Sequence, residues 1–217
     1  MTRPVLDKIC TLCNSFFTMS KTTTDVGWRE ARREAARAKL LATAWEMVRE
    51  EGLGALTLRQ LATRAGITTP TVYAYFDSKN AIFDAMFGEA AAAFAATRAD
   101  LPDSGSAHDN LVADVRRWVE FCTSDVARYQ LLFQRPIPGF EPSPEAYEPA
   151  VRALDLTREY LARNGVTDPR HFDMWTAVTT GLVDQQIANE PGGDRWTRLI
   201  EGVVRMLLAH TSEKPPE

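Results

Sequence analysis

The side chains best suited to chemistry are concentrated in one segment, TLRQLATRAGITTPTVYAYFDSK, residues 57–79. It carries hydroxyls (Thr57, Thr69, Thr71, Tyr73, Tyr75) and cations (Arg59, Lys79), but neither histidine nor cysteine. Groups of this kind bind a partner rather than transform one. Tyrosine hydroxyls donate to phosphate oxygens, and their rings lie against sugars or thymine methyls. Once Val72 and Phe76 point inward at i and i+4, Thr69, Thr71, Tyr73, Ala74 and Tyr75 are left facing solvent. Two exposed tyrosines on one short helix are costly without a partner. Lys79 adds a positive charge and a helix N-terminus aimed at the same place. The implied chemistry is that of a nucleic-acid surface.

Other chemistry is poorly provided for. His108, His171 and His210 are widely separated, with no H-x-x-x-H spacing, so no metal is expected. Cys10 and Cys13 form a lone C-x-x-C, half of a zinc site at most, and read as two thiols in a flexible tail. With Cys122 they make three cysteines, which cannot build a disulfide framework. There is no Ser/His/Asp arrangement, G-x-S-x-G, P-loop or G-x-G-x-x-G, so neither catalysis nor a cofactor is expected.

The chain has 217 residues, 45% of them hydrophobic and 25% charged. Its mean hydropathy is −0.25. These values fit a soluble globular protein with one sizeable core, or a small domain joined to a larger one. No run of about 18 apolar residues is present, so no membrane partner is expected. With no signal peptide legible, the expected location is the cytoplasm. Residues 1–80 hold 12 Lys and Arg against 8 Asp and Glu, a charge of +4, and residues 81–217 hold 13 against 21, a charge of −8. A basic front joined to an acidic back suggests two modules, the front meeting an anion.

The elements that must position these residues are all helical. Strand alternation and hairpin turns are missing, and 3.6-residue periodicity recurs throughout. Residues 1–27 carry no sustained period and read as a disordered tail containing Met19, an alternative start. The first helix runs from about Trp28 to Glu51, with Arg29, Arg32, Arg33, Arg37 and Lys39 crowding its start and Gly52 capping its end. Helices follow over 58–65, from Thr68 or Thr69 with Pro70 in the first turn, and from Asp77 or Ser78 to about Thr97. Residues 101–108 break the helix. Further helices are predicted at 109–123, 125–133, 145–164 and 168–189. Asp194 is expected to cap the last one, through Ala209. Four prolines keep residues 135–144 extended. Gly66, small Ala62, Ile67 at the corner and inward Val72 make residues 57–76 a helix-turn-helix, whose second helix lies in a DNA major groove.

This segment resembles the TetR (tetracycline-repressor) family of bacterial transcriptional regulators. The resemblance covers about residues 38–90 and rests on Gly52, Thr57-Leu58-Arg59, Leu61-Ala62, Ala65-Gly66-Ile67, Thr71-Val72-Tyr73-Ala74-Tyr75-Phe76 and Ser78-Lys79. It implies a three-helix DNA-binding domain, then a divergent helical domain that dimerises and usually binds a small effector. It also implies that Arg59 and Thr69 read bases and that Thr57, Thr71, Tyr73, Tyr75 and Lys79 hold phosphates. Ala74 is smaller than in some members, leaving only a thymine methyl for it to touch.

The fold class expected is therefore all-α. Residues 1–27 are a disordered tail, 28–80 the DNA-binding domain, 81–210 an effector-binding and dimerisation domain, and 211–217 a flexible tail. Trp118, Phe121, Tyr129, Phe133, Met174, Trp175 and Val178 are the candidate walls of an effector cavity, with 135–144 at its mouth. The alternative for these residues is plain bundle packing. Asp184-Gln185-Gln186 reads as a polar seam. In the final helix apolar residues spread over roughly 200°, twice what one core face needs, so a second side must be covered. Trp196, Ile200, Val203 and Leu207 are the candidate dimer contacts. The expected protein is a homodimeric regulator, most simply a repressor, that binds a palindromic operator in double-stranded DNA and is released by a small apolar effector. The alternatives are a DNA-binding protein without an effector and a small all-α enzyme.

Overall fold

The structure, a computed structural model, describes the backbone of residues 7–103 and 105–212, and the side chains of residues 27–103 and 105–211. Among the described residues nine α-helices follow one another and no strand occurs. They are α1 (Asp7–Glu51), α2 (Leu58–Arg64), α3 (Thr69–Tyr73), α4 (Lys79–Ala99), α5 (Ala107–Ser124), α6 (Val126–Phe133), α7 (Pro144–Arg163), α8 (Pro169–Asn189) and α9 (Ile200–Ser212).

Most boundaries fall where local chemistry puts them. Thr57, Ser78, Asp125, Ser143 and Asp168 each accept a backbone N–H of the helix they precede, supplying an orphan donor with a partner. Gly66 joins α2 to α3 with φ +69°, a conformation that costs a Cβ-bearing residue about 1–2 kcal/mol.

Two boundaries differ from expectation. Helix α1 begins at Asp7 rather than Trp28. Residues 8–26 contain neither Pro nor Gly, so nothing in the backbone stops the helix from running back through the expected tail. Residues 1–6 and 213–217, and the side chains of Cys10 and Cys13, lie outside the described residues. At the other end, α9 starts at Ile200, after a 3-10 turn over Thr197–Leu199. Gln186 on α8 holds this stretch off the helix axis: its amide donates to Gly193 O at 3.0 Å and accepts from Trp196 N at 3.2 Å.

Two apolar cores result. The first gathers Leu40, Leu41, Ala44, Val48, Leu56, Leu61, Val72 and Phe76 with Ile82, Phe83 and Met86. Each large side chain fully buried there contributes roughly 1.5–3 kcal/mol. The second is built by α5, α7, α8 and α9 around Leu111, Val115, Tyr160, Trp175, Val183 and Val204. The expected division after residue 80 falls at the start of α4. The first core continues along that helix to Ala91, and Ala93 and Phe94 of the same helix pack against the second core.

Candidate nucleic-acid interface and interior cavity

The helix-turn-helix is assembled from inside outward. Leu61 and Val72 are fully buried, and Ile67 packs half-buried over them at the corner. The Ile67 N–H donates to Ala62 O at 2.9 Å, closing the turn after α2. That packing leaves Arg59, Thr71, Tyr73 and Ala74 exposed, Tyr73 by 51%. Thr69 and Lys79 are half-buried.

Four placements refine the sequence reading. Tyr75 is half-buried against the first core rather than solvent-facing, because the chain turns after Tyr73 to bring Phe76 inward. The Thr57 hydroxyl is engaged in capping, 3.2 Å from Gln60 N and 2.6 Å from Gln60 Oε1. The Lys79 ammonium sits 5.3 Å from the Phe83 ring centroid, its stem laid along the core. The Thr68 and Thr71 hydroxyls are paired at 2.8 Å, so Thr68 joins the outward surface.

The basic start of the first predicted helix lies against the end of α3. Arg33 Nη2 donates to Ala74 O at 3.5 Å, and the Arg37 guanidinium lies 5.0 Å from the Phe76 ring centroid. Both bring positive charge to the negative end of a short helix. The cluster was legible as charge, but its docking on α3 depends on the crossing of α1 and α3, which spacing does not reveal.

Behind this domain a cavity of about 240 Å³ opens between α4, α5, α6, α7 and α8. Of the seven expected wall residues it takes Trp118, Phe133 and Trp175. The other four lie elsewhere. Phe121 sits behind Phe94 at 5.2 Å and under the Arg128 guanidinium at 4.0 Å. Tyr129 turns away to donate to Asp184 Oδ1 at 2.7 Å. Burial and that hydrogen bond push the Tyr129 hydroxyl pKa up. Met174 is exposed, and Val178 packs half-buried on the second core. Segment 135–144 does not reach the cavity. Phe140 packs on Phe83 at 5.9 Å, and Ser143 N and Oγ donate to Asp84 at 2.6 and 2.9 Å, anchoring the segment over the first core.

The wall also holds residues that sequence reasoning missed, namely Phe94 and Arg98 on α4, Asp114 on α5 and Thr176 and Thr179 on α8. Arg98 and Asp114 form an ion pair with side chains only 2% and 3% exposed. Burial pushes the Asp114 carboxyl pKa up, and the Arg98 and Arg117 guanidinium groups oppose that rise. The signal available in the sequence was Leu111, Asp114, Val115 and Trp118 at i, i+3, i+4 and i+7. There a carboxylate stands on an otherwise apolar stripe.

The expected dimer contacts divide in two. Ile200 and Leu207 are turned into the chain's own second core, 2% and 4% exposed. The wheel that put them outward began at Asp194, whereas the helix begins at Ile200. Trp196 lies in the preceding turn. The large apolar residues left exposed here are Leu199, in the turn before α9, and Met206 on α9, with Val203 half-buried between them against the second core. The Asp184–Gln186 seam is structural: Asp184 accepts from Tyr129 and Gln134, and Gln186 ties down the loop before α9. No described helix is long and apolar enough to cross a membrane.

Residues 40–86 match the family of bacterial regulatory proteins described as tetR. The HTH-type transcriptional regulator Rv1816 of Mycobacterium tuberculosis (strain ATCC 25618 / H37Rv) is 29% identical over 125 residues, 55% of this chain and 53% of that protein. The chain thus matches about half the length of these curated relatives. A tetR-family transcriptional regulator from Streptomyces coelicolor shares the fold with a TM-score of 0.65, at 18% identity over 82% of each chain. The transcriptional regulator FadR from Bacillus subtilis, solved with stearoyl-CoA, does so with a TM-score of 0.58, at 18% identity over 79% of this chain and 97% of that one. At such identities the likeness to the two solved structures is one of fold alone. The helix-turn-helix segment of the chain is thus similar in sequence to the tetR family of bacterial regulatory proteins, and its helical fold is shared with solved regulators of that family.

Proposed function

We propose that this protein is a homodimeric transcriptional repressor that binds a palindromic operator through α3 and is released when a small, largely apolar effector enters the cavity. The observation that carries this reading is the span of α4. It is a single helix of 21 residues, roughly 30 Å long, starting at Lys79 beside α3 and ending with Phe94 and Arg98 in the cavity wall. A ligand that moves one end moves the other. Operator affinity and effector affinity are then reciprocally coupled, by about 1–3 kcal/mol in typical systems.

In this reading Arg59 and Thr69 read bases, while Thr57, Thr71, Tyr73, Tyr75 and Lys79 position the phosphate backbone. Residues 28–80 meet the DNA and residues 81–210 bind effector and partner. Leu199 in the turn before α9, and Val203 and Met206 on α9, form the dimer seam, to which exposed Met174 on α8 adds. The His171 and His210 rings, 5.4 Å apart, mark where the two helices adjoin. The FadR neighbour was solved with stearoyl-CoA, but this cavity suits something smaller. A cavity of about 150 Å³ holds a benzene. On that scale 240 Å³ holds roughly ten non-hydrogen atoms, fewer than a stearoyl chain.

The test is selection of bound duplexes from a random DNA library with the full chain, alongside sedimentation equilibrium. The expected outcome is an inverted repeat with half-sites about one helical turn (~10 bp) apart or slightly more, bound by a dimer. A monomer that binds a single half-site tightly overturns the symmetric mechanism.

A further inference from the structure

The polar atoms of the cavity specify more than size. Thr157, Thr176 and Thr179 line it, and each hydroxyl donates to a carbonyl of its own helix: Ala153 O at 2.8 Å, Phe172 O at 3.0 Å and Trp175 O at 2.8 Å. Two other donors in the wall are buried and reach no acceptor among the described groups, Arg98 Nη2 and Trp118 Nε1. A buried donor left unmade is worse than one replaced by an apolar group, so a ligand supplying the acceptor gains affinity. Both residues lie against one ring. Arg98 pairs with Asp114, Asp114 and Trp118 are one turn apart on α5, and the Phe94 ring touches both, 5.3 Å from the guanidinium and 5.5 Å from the indole.

Charge decides what kind of acceptor fits. The Arg98 guanidinium is already neutralised by Asp114. A carboxylate ligand would set a second anion beside Asp114 in a space where burial alone already disfavours the first. A cation would face Arg98. Apart from the hydroxyls of Tyr147 and Thr180, the rest of the wall, including Phe94, Leu132, Phe133 and Phe172, is apolar.

We propose that the ligand of this cavity is a compact apolar molecule carrying one uncharged carbonyl oxygen, which accepts from Arg98 Nη2 and Trp118 Nε1. This rests on the reading of the cavity as the effector site. A carbonyl oxygen has two lone pairs and serves both donors at once.

Three probes of one size and shape separate the terms: acetophenone, α-methylstyrene, in which the oxygen is replaced by a methylene, and benzoate. They are titrated into the full chain, and the indole N–H signals are followed by NMR. Trp118→Phe identifies the relevant signal, and calorimetry gives affinities. Acetophenone is expected to bind about tenfold more tightly than either of the others at pH 7 and to move the Trp118 N–H signal downfield. In Trp118→Phe, which keeps a ring and removes the donor, its preference over α-methylstyrene should fall at least threefold. The smaller ring loosens the site for every probe, so the ratio isolates the N–H. Equal binding of acetophenone and α-methylstyrene overturns the carbonyl assignment and leaves the effector reading standing. Benzoate binding most tightly overturns the charge argument alone. If no probe moves any cavity resonance, the effector reading falls together with the proposal.

Discussion

Arg98→Met leaves Asp114 as a buried carboxylate without its counter-ion, and the consequence can be worked out from the site. Both side chains are almost completely excluded from water, so neither solvent nor salt screens the loss. Removing one partner of such a pair costs about 3–5 kcal/mol, a large part of the ~5–15 kcal/mol that holds a protein folded. For a chain of this length that is a fall in melting temperature of roughly 6–20 °C. Replacing both, as Arg98→Met with Asp114→Leu, leaves no orphan charge and should return stability to within about 1 kcal/mol of the original. The pH dependence has a definite sign. Burial raises the Asp114 pKa in the folded state, and removing Arg98 raises it further. A folded pKa above the unfolded value gives stability that is retained at low pH and lost as pH rises through the folded pKa. The deficit of Arg98→Met should therefore shrink between pH 8 and pH 5. Guanidinium denaturation of the wild type, the single and the double variant at both pH values measures this. A single-variant loss below about 1 kcal/mol at pH 8, or a deficit that grows on acidification, would refute the reasoning.

Three further outcomes are expected. Arg59→Ala should cost about 1–3 kcal/mol of operator binding and relax preference at one base position, while Lys79→Ala should weaken binding to all DNA and flatten the salt slope by about 0.9, both measured by fluorescence anisotropy. Gly66→Ala, in open space at φ +69°, should lower stability by about 1–2 kcal/mol for conformational reasons alone, as read from thermal unfolding. Met206→Glu should yield folded monomers in sedimentation, whereas Leu207→Glu, placed in the second core, should lower the melting temperature instead.

The helix-turn-helix could be read from sequence because every signal in it is local. Thr57 and Ser78 cap within three residues, Gly66 answers a turn, and Leu61, Val72 and Phe76 repeat at helical spacing. The cavity was half legible for the opposite reason. Trp118, Phe133 and Trp175 announce themselves by size, but so do Phe121 and Tyr129, which face elsewhere. What separates them is the rotation of α5 and α6 about α4, set by contacts across 20 to 90 residues such as Tyr129 with Asp184 and Arg116 with Glu201. The start of α9 was lost in the same way. Asp194 is a sound capping residue, but a glutamine eight residues earlier in the chain holds the backbone in another path.

In the proposed mechanism α4 acts as a rigid lever, because the packing at its two ends forbids sliding. Ile82, Phe83 and Met86 are fully buried in the DNA-binding core, so a shift along the helix axis would have to repack that core. Its flanks are held as well: Ala127, Leu131 and Ala146 of α6 and α7 are buried in the first core, Leu132 packs against both cores, and Trp45 bonds to Glu89 at 2.9 Å and Arg49 to Asp125 at 2.7 Å, so α4 moves as one body with the helices beside it. The energy required is modest. A coupling of about 1–3 kcal/mol is what one or two hydrogen bonds to a charged donor supply, at about 1.5–3 kcal/mol each. Arg98, on the last turn of α4, is such a donor. In that mechanism a ligand bonded to it would draw the far end of the helix toward α5 and α8 and tilt α3, at the other end, out of register with its partner in the proposed dimer.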